Sequence, residues 1–474
     1  MKRRGFLIGG ITALTAGAGI VEAGEKAYKQ NDGQEFGNPI LRGSGTCDPQ
    51  IRVYDDVAYM YATHDFDAAN SNFVMKDWRV WRSHDLVHWD LVSTLSPRST
   101  YLKTDSDECW ATDAARKGND YFMYFSMGPK NIGVVKSSLP YGPWSDPLGQ
   151  PLIADGTVKT EARDPGILQD PDGSSYIVFG TFSYFIAKLN DEMTSLAEKP
   201  RRIIIRNAEG PYGRGVTDDK PFLHSRLGKY YLSWGSYYAI SDSPYGPYEC
   251  KGRLFTEDNV DPQFLMAPAK SRKGVSARDW LNYDRHGSFF ELHGQTYFAC
   301  NDQSASYCSP FFRNSVITYV HYRENGDIAP LEIRAAGVGR YVADKGIRAS
   351  DYFAVIGCRK REFGNAFVMQ PIQNESSLYF PNIQFTKHFS TLDILISTSE
   401  NGSGSFSIEV RRDSKKGRLL AKRSYDLSQF WKLPRNASLS VDIRRPEESL
   451  YMTIKGSSDG EINIHSLSFS DGKS

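Results

Sequence analysis

Five polar residues stand at one position of a repeated sequence pattern, and their side chains could together carry out acid–base catalysis. Each precedes, by 8 to 12 residues in the numbering, a tyrosine that introduces an apolar, aromatic-rich run. Paired carboxyl groups can hydrolyse a glycosidic bond, because one protonates the leaving oxygen while the other activates water or attacks carbon. The five residues are Asp48, Asp113, Asp164, Asp219 and His286.

A short recurring sequence motif, here called the marker phrase, indicates which structural elements position the five polar residues. Each phrase has a turn residue, two further residues and then a tyrosine, and the intervals between successive tyrosines are 62, 55, 55 and 66 residues. Repeats of about this period are typical of propellers and solenoids. The marker tyrosines are Tyr59, Tyr121, Tyr176, Tyr231 and Tyr297.

The region from Asn38 to about Val342 is predicted to be all-β. Short alternating or apolar runs are separated by Gly, Pro, Asn and Asp, and no long stretch has helical periodicity. Five repeats of four strands predict a five-bladed β-propeller. The first strand of each repeat would lie nearest the axis, so the five polar groups would meet in one pocket. A single Asp near Pro usually serves a turn, but four converging carboxylates repel one another and have no structural purpose.

The chain is predicted to have three parts. Residues 1–23 have the pattern of an export signal, and residues 24–345 form the catalytic propeller. Residues 350–474 are predicted to form a β-sandwich, because the marker phrases stop and candidate strands are separated by polar turns. The sandwich could bind a ligand or serve only as a packing partner.

The amino terminus carries basic residues, an apolar stretch and a small-residue cleavage pattern. Lys2-Arg3-Arg4-Gly5-Phe6-Leu7 resembles a twin-arginine signal, and Val21-Glu22-Ala23 could be the cleavage site. An uncleaved anchor is the alternative, although the apolar run is short and glycine-rich for a membrane span. We therefore expect a periplasmic or secreted protein without membrane contact after cleavage.

Charge and aromatic content indicate the class of ligand. The chain has 57 basic and 56 acidic residues, a net charge of +1, which argues against nucleic acid or an anionic membrane as a partner. Aromatic residues make up 13% of the chain, which suits stacking on sugar faces as well as dense β packing. We expect an oligosaccharide or polysaccharide as the partner.

The six cysteines do not predict a metal site. No CxxC occurs, and no Cys/His spacing suits zinc. Cys300 and Cys308 are the nearest pair, but pairing cannot be deduced from spacing. We expect most cysteines to be buried free thiols.

The predicted propeller resembles the five-bladed enzymes of glycoside hydrolase family 43. The resemblance implies that Asp48 is the general base that activates water, and that Asp164 tunes the pKa of the acid and orients it. It places His286 at the axis, where many members hold a water or a calcium ion, although a lone histidine could equally belong to the core. No cofactor would be required, and calcium would be structural. The shared motifs are Asn38-Pro39-Ile40, Asp48-Pro49, Trp110-Ala111-Thr112-Asp113, Arg163-Asp164-Pro165 and His286-Gly287-Ser288-Phe289.

The general acid departs from the family pattern. Most members have Glu in a Glu-Gly-Pro or Glu-Ala-Pro tripeptide nine residues before the Gly of the next marker phrase, and here that position holds Asp219, beside Asp218. A Glu-Gly-Pro at Glu209 stands 19 residues before Gly228, which would place it in the preceding connection. We favour Asp219 because register fixes position in the ring. Glu209 or Glu161 arriving from a loop, or a site without an acid, are the alternatives.

Two rival functions fit parts of the same pattern. Fructan and sucrose hydrolases share Arg163-Asp164-Pro165 and a later Glu-Cys, here Glu249-Cys250. In that case Asp48 would be a nucleophile, the mechanism would retain configuration, and the carboxyl groups would lie roughly 5–5.5 Å apart. A non-catalytic carbohydrate-binding propeller is the other rival, suggested by the absent Glu.

The sequence therefore predicts an exported, inverting, exo-acting glycoside hydrolase. It would remove a terminal pentose or furanose, such as α-L-arabinofuranose, β-D-xylose or β-D-galactofuranose, from polysaccharide. The strand pattern of the C-terminal part resembles carbohydrate-binding module family 6, and Trp431 and Tyr352 are its candidate stacking rings. Substrate contacts are expected from Trp110, Asp113, Phe66, Trp280 and His286.

Overall fold

The computed structural model describes residues 37–264, 284–303, 311–398, 404–431, 433–456 and 462–471. The predicted signal sequence, Trp280 and Cys308 lie outside these ranges. No helix of the described residues is both long enough and apolar enough to cross a bilayer.

Five antiparallel sheets follow one another between residues 46 and 319. In each sheet the strands are hydrogen-bonded in chain order. The first contains β1 (Thr46–Tyr54), β2 (Val57–His64), β3 (Trp78–Ser83) and β4 (Asp90–Leu95), and the second β5 (Cys109–Lys117), β6 (Asp120–Met127) and β7 (Asn131–Ser137). The third contains β8 (Gly166–Gln169), β9 (Ser175–Phe179), β10 (Phe185–Lys188) and β11 (Arg201–Arg202).

The fourth sheet repeats this plan with one strand added at its outer edge, and the fifth has three strands among the described residues. The fourth contains β15 (Pro221–Arg226), β16 (Lys229–Trp234), β17 (Tyr237–Ser241) and β18 (Tyr248–Arg253), to which β12 (Ile205–Arg206) adds in parallel. The fifth contains β20 (Gly287–Leu292), β21 (Gln295–Asp302) and β22 (Asn314–Tyr319). Two small pairs lie outside the five sheets: the hairpin of β13 (Glu209–Gly210) and β14 (Gly213–Arg214), and the parallel pair of β19 (Phe255–Val260) and β23 (Leu331–Ile333).

The first strands of the five sheets form a closed ring. β1 contacts β5, β5 contacts β8, β8 contacts β15, β15 contacts β20, and β20 returns to β1. All five marker tyrosines lie on the second strand of a sheet. The prediction of an all-β, five-bladed propeller is confirmed.

The ring is closed by a polar clamp at the start of the described chain. The Asn38 side chain donates from Nδ2 to the Ile317 carbonyl at 2.9 Å and accepts at Oδ1 from the Ile317 amide at 2.9 Å. Ile40 bridges Ser315 of β22 in antiparallel fashion. Because β22 belongs to the last sheet, these contacts join the two ends of the propeller. We call the join between the first and fifth sheets the seam.

Strand burial follows from the position of each strand in the ring. β6 is buried along nearly its whole length, because neighbouring sheets cover both of its faces. β33 (Arg435–Ile443), in the C-terminal part, instead alternates between buried and exposed residues, since only one of its faces meets a core.

The C-terminal part contains two six-stranded sheets. The first comprises β24 (Tyr341–Val342), β26 (Ala354–Ile356), β29 (Glu375–Gln384), β31 (Ser405–Arg412), β32 (Leu419–Asp426) and β34 (Glu447–Lys455). The second comprises β25 (Ile347–Arg348), β27 (Cys358–Phe363), β28 (Ala366–Pro371), β30 (Phe389–Thr398), β33 and β35 (Ile462–Ser470). One apolar core contains residues from both sheets, among them Phe380, Met452, Ile394 and Ile464. This arrangement is a β-sandwich.

The sandwich begins before the predicted boundary and packs against the propeller. Its first strand already starts at Tyr341. Phe353 and Tyr379 of the sandwich share an apolar cluster with Tyr297 of the fifth sheet. The Gln295 side chain donates to the carbonyl of Tyr352 at 3.0 Å, so a polar contact reinforces the apolar one.

The remaining described elements are short. The 3-10 helices span Pro97–Ser99, Pro262–Phe264, Ala343–Lys345, Ala349–Asp351 and Leu427–Phe430. Five cysteines lie in the described ranges and all are free thiols, as expected: Cys47, Cys109, Cys250, Cys300 and Cys358.

Candidate active site

A cavity with about 570 Å³ of empty space opens at the axis of the ring. Asp48, Asp164, Asp219, His286 and Trp110 all line it, so the shared register does bring most of the predicted groups together. Further lining comes from Phe73, Met75, Ala111, Arg163, Tyr212, Asp218, Lys220, Asp284 and Arg313.

Asp48 lies at a bulge of β1, where the register shifts between Cys47 and Gln50. Its φ is +47°, a left-handed conformation that non-glycine residues rarely adopt. Asn301 of β21 secures this backbone by accepting from the Asp48 amide at 2.5 Å and donating to its Oδ1 at 2.8 Å. Strained backbone of this kind is retained where it aims a functional side chain.

The Asp48 carboxylate is held in its ionised form. Burial opposes ionisation, but the charge of Arg313, whose Nη1 lies 3.3 Å from Oδ1, and hydrogen bonds from His286 and Asn301 outweigh it. The pKa of Asp48 therefore lies well below its usual value. A carboxylate that stays charged at neutral pH can accept a proton from water.

Asp164 also has a left-handed backbone, with φ +60°. Its amide donates to Ser126 Oγ at 2.8 Å, and its Oδ2 accepts from the Lys220 amide at 3.1 Å. Burial raises the pKa of Asp164 to about 6, and the nearby charge of Asp219 adds to the rise, although Arg163 opposes it. Asp164 is thus joined directly to the segment that carries Asp218 and Asp219.

Asp218 and Asp219 form an acidic pair with different environments. The Asp219 side chain is 23% exposed towards the cavity, whereas that of Asp218 is 5% exposed. Burial raises the pKa of Asp218 to about 6, with a further contribution from the charge of Asp219. The pKa of Asp219 is lowered, because His286 and Arg163 outweigh its burial. The protonation of one carboxyl affects that of the other, because neighbouring carboxyl groups titrate together.

His286 stands between the two sides of the cavity. Its Nε2 lies 2.6 Å from Asp219 Oδ1, and its Nδ1 lies 3.0 Å from Asp284 and 3.6 Å from Asp48. Burial disfavours the charged ring, but the charge of Asp219 and the contacts of the ring with the surrounding aspartates raise the pKa of His286 well above its usual value. The ring is therefore an imidazolium. Gly287 permits this position, because a Cβ there would lie 1.7 Å from the Ala299 carbonyl oxygen.

The imidazole ring separates the carboxylates of Asp48 and Asp219. The two carboxylates contact opposite nitrogens of the ring. An inverting pair is spaced roughly 6.5–9.5 Å apart to leave room for a water, so carboxylates on opposite sides of a ring are compatible with inversion.

Asp113 does not line the cavity, contrary to the expectation that it contacts substrate. It is fully buried, and its carboxylate accepts from Arg52 Nε at 2.9 Å and from the amides of Ile167 at 2.6 Å and Ala114 at 2.7 Å. These partners belong to three different sheets. Asp113 therefore joins the inner strands of the ring, because a buried carboxylate requires several donors.

The two alternative acids, Glu209 and Glu161, and the predicted contact Phe66 lie outside the cavity lining. Glu209 is in the β13–β14 hairpin, where its carbonyl accepts from Trp234 Nε1 at 2.8 Å. Glu161 is half exposed and lies 2.8 Å from Arg163. Phe66 is 45% exposed beneath Lys76, 4.2 Å from its ring.

The hairpin nevertheless contributes to the site through its turn. Tyr212, at the turn between β13 and β14, lines the cavity. Its ring packs edge-on against Phe182 at 5.6 Å. Phe182 is 53% exposed with φ +55°, and its amide donates to the Asp218 carbonyl at 3.0 Å. Tyr212 lines the cavity and Phe182 packs against it, and we call this pair of rings the Tyr212–Phe182 wall.

Nine lining residues were not predicted as site residues, among them Arg313, Tyr212, Asp284 and Lys220. Arg313 joins Asp48, Asp65 and Asp284 from a position directly after the undescribed residues 304–310. Residues such as Arg313 and Tyr212 occur outside the repeated register, so the repeat gave no signal for them. Asp284, two residues before His286, and Lys220, beside Asp219, could have been found from their neighbours. Lys220 is buried with φ +49°, and its Nζ donates to the Pro165 carbonyl at 2.8 Å.

Two groups of side chains around His286 could hold a metal ion. One contains Asp48 and Asp284, and the other Asp218 and Asp219, with ligand atoms within 4.8 Å of one another. Arg313 already supplies positive charge to the first group. The second group fits a hard cation better, because Asp218 Oδ2 is buried without a hydrogen-bond partner among the described residues.

Comparison with known proteins was made by sequence and by structure. The family model of the glycosyl hydrolases family 43 matches residues 36–328. A xylosidase/arabinosidase from Bacteroides ovatus is 25% identical over 346 residues, which cover 62% of this chain and 97% of the relative. A beta-D-galactofuranosidase from Aspergillus niger is 28% identical over 331 residues, which cover 64% and 86%.

Two solved structures illustrate the likeness in fold. A family 43 arabinoxylan arabinofuranohydrolase from Bacillus subtilis, in complex with cellotetraose, superposes with a TM-score of 0.53 at 20% identity, covering 92% of this chain and 97% of that one. A GH43_1 enzyme from Xanthomonas citri, complexed with xylose, gives 0.50 at 25% identity, with coverage of 62% and 92%. The first likeness includes most of the C-terminal sandwich and concerns the fold alone.

Proposed function

The chain belongs to the glycosyl hydrolases family 43, and from that premise we propose that it is an exo-acting, inverting glycosidase that removes a terminal pentose or furanose from polysaccharide. The relatives named for xylosidase, arabinosidase and galactofuranosidase activity support this class of substrate. The observation that carries the proposal is the pair of carboxyl groups, Asp48 and Asp219, on opposite sides of His286 in one axial cavity.

In the proposed reaction, a water between the two sides attacks the anomeric carbon. Asp48 takes the proton from this water as its oxygen bonds to carbon, and the glycosidic C–O bond breaks. The leaving oxygen receives a proton from the Asp218–Asp219 pair. Water enters on the face opposite the leaving group, so the product has inverted configuration.

Asp219 is the member of the pair that we assign as the general acid. It is the more exposed of the two carboxyls and faces the cavity. Asp218, the residue beside it, is the member of the pair whose pKa is raised. Asp164 would modulate the acid, because it holds the Lys220 amide next to Asp219 and shares its electrostatic field.

The two rival functions have less support. A retaining mechanism requires carboxyl groups roughly 5–5.5 Å apart, whereas the ring of His286 lies between Asp48 and Asp219. A non-catalytic lectin would not require Asp48 to be held ionised in a strained backbone by Arg313 and Asn301. Both rivals are distinguished by the experiment below.

Hydrolysis by two carboxyl groups requires no cofactor. If calcium binds, Asp218, Asp219 and His286 through a water would hold it, and its charge would stabilise the acidic cluster structurally. The signal sequence with its export, and the resemblance of the sandwich to carbohydrate-binding module family 6, stay predictions from the sequence.

The experiment is to incubate the protein with nitrophenyl arabinofuranoside, xyloside and galactofuranoside. We expect turnover of at least one, with NMR showing the inverted anomer as the first product. Asp48→Asn should lower kcat by about 10³-fold, while Asp105→Asn, on the exposed surface, should leave it unchanged. A retained anomer, full activity of Asp48→Asn, or oligosaccharide binding without any turnover would contradict the proposal.

A further inference from the structure

A second cavity lies between the propeller and the C-terminal sandwich. It shares no lining residue with the catalytic cavity and contains about 1070 Å³ of empty space. Its walls are segment 226–231 of the fourth sheet, the turn 322–326 after the fifth sheet, and segment 359–362 of β27. We call this cavity the basic groove.

The groove concentrates positive charge in a nearly neutral chain. Six of its lining residues are basic and two, Glu324 and Glu362, are acidic, while the whole chain has a net charge of +1. Such an imbalance attracts anions, since neighbouring like charges reinforce the local potential. The basic residues are Arg226, Lys229, Arg323, Arg359, Lys360 and Arg361.

Ion pairs neutralise only half of these cations. Arg323 pairs with Glu362, Arg361 lies 3.6 Å from Glu324, and Lys229 pairs with Asp242. In the described part of the chain, no carboxylate lies within ion-pair distance of the other three, Arg226, Arg359 and Lys360. An anion bound in the groove would supply the missing negative charge.

The unpaired arginines are held in fixed orientations. The Arg226 guanidinium lies over the Tyr322 ring, 4.3 Å from its centroid. Arg359 Nε donates to Gln370 Oε1 at 2.9 Å, which orients its terminal nitrogens without using them. A guanidinium that is already oriented loses less entropy when it binds a carboxylate in a bidentate manner.

Lys360 provides a partly buried cation in the lining of the groove. Its Nζ donates to Gln295 Oε1 at 2.6 Å and lies 2.9 Å from His321 Nδ1. Burial lowers the pKa of Lys360 to about 7. The charges of Asp351 and Glu291 offset part of the cost of burying this amine, and a bound anion would offset more of it.

We propose that the basic groove binds the carboxylate of a uronic acid on an acidic polysaccharide, at a site distinct from the catalytic cavity. The choice of a saccharide as carrier of the carboxylate rests on the proposed glycosidase function. Leu227, 85% exposed beside Arg226, offers an apolar surface to the C–H face of a sugar. The groove would retain the polymer while the catalytic cavity acts on its neutral branches.

The experiment measures binding in the Asp48→Asn background by calorimetry, so that hydrolysis does not interfere. The probes are a xylo-oligosaccharide with one glucuronic acid and the neutral xylo-oligosaccharide of the same length. We expect the acidic probe to bind at least about tenfold more tightly, and Arg226→Gln/Arg359→Gln to abolish that difference. Arg202→Gln, an exposed arginine of β11, is the matched control and should preserve it.

Salt and turnover complete the test. The preference for the acidic probe should weaken between low and high ionic strength, because screening acts on exposed charges. The double arginine variant should keep the turnover of nitrophenyl glycosides in the otherwise unmodified enzyme, which separates failure of this site from failure of the proposed activity. Equal binding of the two probes, a preference that survives in the double variant, or equally tight binding of polyaspartate would overturn the proposal.

Discussion

Asp218 and Asp219 divide between them two properties that a general acid must combine. Asp219 has access to the cavity but a lowered pKa, whereas Asp218 is buried and has its pKa raised to about 6. A glutamate would reach the same space with a longer stem. In the proposed function the Asp–Asp pair with His286 takes the place of that single residue, because the protonation of Asp218 and that of Asp219 are linked.

The first prediction concerns the identity of the acid. Asp219→Asn should lower kcat by about 10²–10⁴-fold for substrates with poor leaving groups, and far less for dinitrophenyl glycosides, which leave without protonation. The measurement is kcat against leaving-group pKa. Glu209→Gln is the control and should show wild-type values, and if it showed the leaving-group dependence instead, the acid would be Glu209.

The second prediction concerns pH. The acid acts when protonated, and the carboxyls around it, Asp164 and Asp218, have pKa values raised to about 6. The base Asp48 has a lowered pKa and is already ionised there. We therefore expect kcat/KM to fall as the pH rises through about 6. A profile that is flat or rising through this region would contradict the assignment.

At the scale of the elements, the β13–β14 hairpin is an insertion between the third and fourth sheets that reaches the site. Glu209 is its most conspicuous residue in the sequence, but it does not line the cavity, whereas the nearby Tyr212 does. The Glu209 carbonyl instead accepts a hydrogen bond from Trp234. Phe182 is exposed and has a left-handed backbone, although its ring packs on Tyr212. We propose that the Tyr212–Phe182 wall contacts the leaving part of the substrate.

The third prediction tests this wall. Tyr212→Ala should raise KM for an oligosaccharide substrate by up to about tenfold, because a stacked ring contributes about 0.5–1.5 kcal/mol, with little change in kcat. Phe182→Ala should act in the same direction. Leu433→Ala, an exposed apolar residue of the sandwich, is the control. A loss confined to kcat would show that the wall acts on the chemical step instead.

The repeat explains why much of the site could be predicted. Residues that recur once per sheet, such as Asp48, Asp164 and His286, occupy equivalent places around an axis, so linear register translates into spatial proximity. Asp113 shares this register, yet its carboxylate binds Arg52 and does not reach the cavity. The register determines how far along the inner strand a residue lies, but not which side chains surround it. Arg313 occurs once, and only the closed ring brings it to Asp48.

At the scale of the whole molecule, the sandwich and the propeller share an apolar cluster, and the basic groove arises only where they meet. Neither part contains the groove alone. Both parts could be predicted from their strand patterns. A surface between them depends on how the propeller and the sandwich pack against each other, and strand periodicity carries no information about that packing.

The fourth prediction concerns closure of the ring. Asn38→Ala removes both hydrogen bonds to Ile317 and leaves buried backbone groups unpaired, which should lower the free energy of unfolding by about 1–3 kcal/mol. Denaturant unfolding measures it, with the exposed Asn374→Ala as control. An unchanged midpoint would show that apolar packing alone closes the ring.

The seam has a consequence for how the protein acquires activity. Asp48 comes from the first sheet, and its supports Asn301, Arg313 and His286 all follow from the fifth. A chain in the course of synthesis can complete four sheets and still lack every partner of its general base. Activity should therefore appear only when the fifth sheet folds against the first. A change that separates the two sheets would abolish activity while most of the secondary structure remained.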